Sequence, residues 1–80
     1  MKFSFKEQRE YDEIDGVIAD LEKQISEVDA EIEKESSNYL LLIELTSKKE
    51  SLKTELDEKT ERWVYLNELA DRIAEQNKQN

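Results

Sequence analysis

From Ile14 to Ile32 a row of apolar residues, Ile14, Ile18, Leu21, Ile25, Val28 and Ile32, steps four, three, four, three, four. Almost everything between them is polar: Asp20, Glu22, Lys23, Gln24, Ser26, Glu27, Asp29, Glu31. The steps average 3.5 residues, the period of a helix that buries one narrow seam against another helix. A strand would need a period of two, which is absent. Alone this helix is marginal, because Glu27–Glu31, Glu31–Glu35 and Asp29–Glu33 place like charges four residues apart. It requires a partner.

The remainder of the chain supplies one. Ser4-Phe5-Lys6-Glu7 has the S-x-x-E form of a capping box, which sets a helix start at Phe5. Asp15-Gly16 is the only breaker before the turn, and Gly costs about 1 kcal/mol against Ala inside a helix. A break near Asp15-Gly16 is therefore one expectation, although the heptad phase runs on through it. Ser36-Ser37-Asn38 is the single cluster of turn and N-cap formers, and so short a connection joins antiparallel neighbours. A second seam follows: Leu42, Leu45, Lys49, Leu52, Leu56, Lys59, Trp63, Leu66, Ala70 and Ile73. Lys49 and Lys59 can lay their methylenes along the groove with the ammonium in water.

The expected fold is thus all-α, a two-helix antiparallel coiled-coil hairpin forming a single domain over 1–80. Its helices span about 5–35 and 39–76, with a turn at 36–38 and a fraying tail. Folding at the turn places Ile32 near Leu45, Ile25 near Leu52, Leu21 near Leu56 and Ile14 near Trp63. Glu44–Lys48, Glu55–Lys59, Glu58–Arg62 and Glu68–Arg72 have the spacing of i,i+4 ion pairs. Phe3, Phe5 and Tyr11 would cap the open end, or stack on a base. In Tyr39-Leu40-Leu41-Leu42-Ile43 the seam can bury only about half of the residues, so Leu40 or Leu41 should stay exposed.

Composition narrows the function. With 41% charged residues, one Gly and no Pro, the chain has the profile of long helices. It has no Cys or His, which removes disulfides, thiolate sites and imidazole chemistry. No apolar run approaches the roughly 20 residues of a membrane span, and no signal-peptide h-region opens the sequence. A soluble cytoplasmic chain is the expectation. The net charge of −9 argues against generic phosphate binding. It is uneven: residues 1–36 hold five basic and twelve acidic groups, residues 37–80 seven and nine. Pairing the two helices with each other is therefore mildly favoured over pairing two copies of the first.

Nothing in the sequence resembles catalytic machinery. There is no Gly-rich phosphate loop and no spaced calcium loop. The twenty-one carboxylates have the spacing of a solvated helix face. The expectation is no catalytic residue, no metal site and no cofactor in this chain. Two places could bind a partner. The open end would gather Lys2, Lys6 and Arg9 near Arg72 and Lys78, diluted by neighbouring carboxylates. The closed end carries Tyr39, Leu40 and Leu41.

Phe3-Ser4-Phe5-Lys6-Glu7-Gln8-Arg9-Glu10 resembles the L-S-[YF]-K-E-Q-R-E opening of the C-terminal domain of Uup-like ABC-F ATPases. Ile18-Ala19-Asp20-Leu21-Glu22 is similar to that family's I-x-x-L-E, and Glu61-Arg62-Trp63-Val64-Tyr65-Leu66 to its aromatic R-W-x-x-L segment. The resemblance covers nearly the whole chain. It implies the coiled-coil tail of a bacterial, cytoplasmic protein whose two cassettes bind ATP and Mg and carry the hydrolysis. It also implies that the tail helps its parent engage nucleic acid, DNA or ribosomal RNA on the ribosome, with Lys2, Lys6, Arg9, Arg62 and Arg72 as the contact residues. Two features depart from the family: Asp15 stands where Pro is common, and Leu40 and Leu41 stand in a short tip that is often polar. They fit the alternative, a structural module contacting another protein, the parent's cassettes or a second copy (a homodimer) through Tyr39, Leu40 and Leu41.

Overall fold

The computed structural model describes residues 1–79. Two helices account for nearly all of it: α1, Phe5–Lys34, and α2, Tyr39–Gln79. They lie side by side in a rod measuring 63 × 16 × 14 Å. The all-α hairpin expected from the heptads is what forms.

The capping box at Ser4 is complete. The Glu7 amide donates to Ser4 Oγ at 3.1 Å, and the Ser4 amide donates to Glu7 Oε1 at 3.1 Å. Helix α1 ends at Lys34, where the Glu35 amide still reaches the Glu31 carbonyl at 2.9 Å. Asn38 then starts α2 by accepting the Leu41 amide at 3.2 Å, satisfying one orphan donor of the first turn. The possible break at Asp15-Gly16 does not occur: α1 runs through it without interruption, as the continuous heptad phase favours. Gly16 has no positive φ, and the seam residues Ile14 and Leu21 on either side are buried against α2. Helix α2 likewise continues to Gln79, past the expected end near residue 76. Asn80 lies outside the described residues.

The core divides the heptad positions unequally. Ile14, Leu21 and Val28, spaced by seven, are buried, whereas Ile18, Ile25 and Ile32 are only half-buried. On α2 the matching central column is Leu45, Leu52, Lys59, Leu66 and Ile73; Leu66 is fully buried. With only two helices, one column of each points straight at its partner, and the neighbouring columns form flanks that solvent reaches from one side. Each fully buried leucine contributes roughly 1.5–3 kcal/mol, so the central column carries most of the stability.

Two flank pairs fix the register. Lys49 forms an ion pair with Asp29, and the Trp63 indole Nε1 donates to Asp15 Oδ1 at 2.7 Å. These are the same contact repeated two heptads apart, consistent with the expected neighbours Ile25–Leu52 and Ile14–Trp63. Trp63 is nevertheless a flank residue, 39% exposed, and not the buried anchor that its seam spacing suggests. Leu69, absent from the expected seam, is buried from the opposite flank.

Candidate nucleic-acid interface

At the open end, Phe3 turns inward and packs on Tyr11, with ring centroids 5.1 Å apart. Phe5 does not join them. It is 88% exposed, so only two of the three aromatics cap the hairpin. The reason is helical phase: Tyr11 lies towards the seam side of α1, while Phe5 lies about half a turn away from Ile14 and the seam.

Between the helices at this end lies a polar chain that the sequence did not disclose. Tyr65 Oη donates to Glu7 Oε2 at 3.1 Å, and Arg62 Nε donates to Glu10 Oε2 at 2.7 Å. The Arg62 guanidinium also stands over the Tyr65 ring, 4.7 Å from its centroid. The Arg62 hydrogen bond holds the Glu10 carboxyl below the usual carboxylate range, and raises the guanidinium itself. Glu7 is also lowered, first by the Ser4 amide, then by the Ser4 hydroxyl and the Tyr65 hydroxyl. The capping box is thereby tied to α2. Neither Glu7–Tyr65 nor Glu10–Arg62 is visible as a local motif, because each joins residues more than 50 apart.

This network claims one of the five basic positions. Arg62 faces Glu10 across the hairpin instead of Glu58 on its own helix. Among the described residues, none of the four i,i+4 pairs expected on α2 closes as an ion pair. Lys6 and Arg9 occupy the solvent face of α1 with Phe5, and Lys2 precedes them in the extended lead. Arg9 makes a loose, largely exposed pair with Glu13 at 3.5 Å. Lys2 and Lys6 form no ion pair among the described residues. Arg72 borders a groove with Met1, Glu75 and Gln76, so the extended lead runs beside the last turns of α2. The structure therefore brings Lys2, Lys6, Arg9 and Arg72 to one end and ties the partly exposed Arg62 to Glu10 across the hairpin.

At the closed end, Tyr39 and Leu40 are 74% and 76% exposed. Leu41 is half-buried and packs against the core cluster of Leu21, Val28, Leu45 and Leu52. Ile43, one turn beyond Tyr39, is 50% exposed and extends the apolar surface along α2. The surface grooves are open, and among the described residues no three His, Cys, Asp or Glu side chains gather as a metal ion would require. No helix among the described residues is long and apolar enough to cross a membrane.

Two antiparallel helices joined by a short turn define a coiled-coil hairpin. The chain belongs to the ABC transporter C-terminal domain family, whose model matches residues 2–68. It is thus a domain of an ABC protein. No curated protein and no solved structure matches it.

Proposed function

We propose that this domain is the non-catalytic C-terminal appendage of a Uup-like ABC-F ATPase and helps its parent engage nucleic acid, DNA or ribosomal RNA. ATP and Mg chemistry belongs to the parent's cassettes. Phe5 carries the reading: an aromatic ring 88% exposed, beside Lys6 and Arg9 and close to Lys2 at the start of a helix. A ring held in water among cations suits a base stacked on a phosphate-bearing strand. The α1 N-terminus adds its partial positive charge at the same place. Arg72 extends the patch across to α2, while Arg62 acts indirectly, by holding the two helices in register through Glu10.

Fluorescence anisotropy against labelled duplex DNA and a structured RNA at low salt tests this. Binding should weaken steeply with salt, and changing Lys2, Lys6 and Arg9 to Gln should flatten the log–log slope by about 2–3. With a labelled single-stranded oligonucleotide as a third probe, Phe5→Ala should weaken binding by about 1–3 kcal/mol. A flat salt response would refute the proposal.

The exposed pair Tyr39 and Leu40 supports a second reading, a contact with another protein at the closed end. Leu40→Lys probes it without disturbing the core, because Leu41 and not Leu40 packs there.

A further inference from the structure

The outer face of α2 carries a second heptad row, unused by the hairpin. Tyr39, Ile43, Thr46, Glu50, Lys53, Asp57, Thr60 and Val64 step four, three, four, three, four, three, four, and all are exposed. Its apolar members stand at the two ends, Tyr39 and Ile43 at one and Val64 at the other. Its charges, Glu50, Lys53 and Asp57, stand between them, and the opposite pair Glu50 and Lys53 brackets the midpoint. We infer that this face binds a second copy of itself, antiparallel, about a two-fold axis passing between Glu50 and Lys53.

The row is self-complementary only in that arrangement. Reversed against itself, it sets Glu50 beside Lys53 of the second copy, and the symmetry makes that pair twice. Thr46 meets Asp57, whose carboxylate can accept the threonine hydroxyl. Ile43 meets Thr60, and Tyr39 meets Val64. Thr60 suits an apolar neighbour because its Oγ1 is already satisfied by the Leu56 carbonyl at 2.8 Å, so covering it strands no donor. The groove bordered by Tyr39, Leu42, Ile43, Thr46, Ser47 and Glu50 gives the far end of the second copy a place to lie.

A parallel pairing would set Glu50 on Glu50 and Lys53 on Lys53, which repel. Pairing through α1 would oppose two surfaces with twelve acidic against five basic groups each over residues 1–36. Helix α2 is close to balanced. From Tyr39 to Val64 the contact would run about 38 Å along the helix, giving a four-helix rod. Its amphipathic logic is that of an antiparallel coiled coil, with charge pairs choosing partner and direction. Both open ends stay uncovered, so the inference does not rest on the nucleic-acid reading.

Sedimentation equilibrium of the chain, up to about 1 mM, tests it. The wild type should self-associate to a dimer. Glu50→Lys or Lys53→Glu alone should raise the dissociation constant about tenfold, since each turns two attractions into two repulsions. The double variant E50K/K53E restores both pairs and should return to near the wild-type value. Circular dichroism should show unchanged helix content, because neither residue pairs with α1. A wild type monomeric throughout the range would overturn the inference. So would a dimer indifferent to both charge reversals, or one that Leu40→Lys alone abolishes.

Discussion

Leu66→Ala and Trp63→Ala, three residues apart on α2, separate the central column from its flank. Among the described residues, Leu66 is the one fully buried side chain. Truncating it removes about 2.4 kcal/mol of transfer free energy, at about 0.8 kcal/mol per methylene equivalent. A cavity term adds to this, and the thin hairpin can close part of the void. The total is about 3 kcal/mol. A chain of this size is stable by roughly 4–12 kcal/mol, so the variant should lose a quarter or more of its stability. Its Tm should fall by more than about 10 °C. Trp63 is the larger residue, yet it is 39% exposed and its indole N–H bonds to an exposed Asp15. Its loss should cost only about 1–2 kcal/mol, because the ring can shed its contacts without leaving a closed cavity. Urea denaturation followed by circular dichroism measures both on one scale. If Trp63→Ala proves the more damaging, the division into a buried column and wet flanks is wrong.

Two further outcomes follow from local geometry. Gly16→Ala should raise stability by about 0.5–1 kcal/mol, because Gly16 lies inside a continuous helix and a Cβ there meets nothing within 4 Å; thermal melting checks it, and a lower Tm would mean that α1 bends at Gly16 in solution. Glu10→Gln should cost less than about 1 kcal/mol at neutral pH, since both Glu10 and Arg62 are partly exposed. The folded pKa of Glu10 is depressed, so its contribution is fully present above the ordinary value of 4.5 and disappears as pH falls through the lowered folded value. Urea titrations across that range should show the gap between parent and Glu10→Gln closing toward acid; a gap that widens would show that the bond to Arg62 does not hold Glu10 ionised.

Periodicity by itself determined the helices, their antiparallel pairing and their near-register. Those depend only on which residues avoid water, on the Ser4–Glu7 box and on the single polar break before Tyr39. Sequence also located the closed-end apolar surface, because one seam cannot cover five consecutive apolar residues. What it could not rank was burial within the seam. Val28 and Ile25, or Leu66 and Trp63, look equivalent in a heptad, and only the facing helix decides which column points inward. The same holds for polar partners. Arg62 has Glu58 at ideal helical spacing but reaches Glu10, since the cross-helix carboxylate is fixed in place by the hairpin and is more sheltered from water. Gly16 shows the converse. Local propensity favoured a break there, and the seam contacts of Ile14 and Leu21 on either side outweigh the roughly 1 kcal/mol it costs. The outward row on α2 was written in the sequence all along, but it is a surface only because the hairpin turns Leu45, Leu52 and Leu66 the other way.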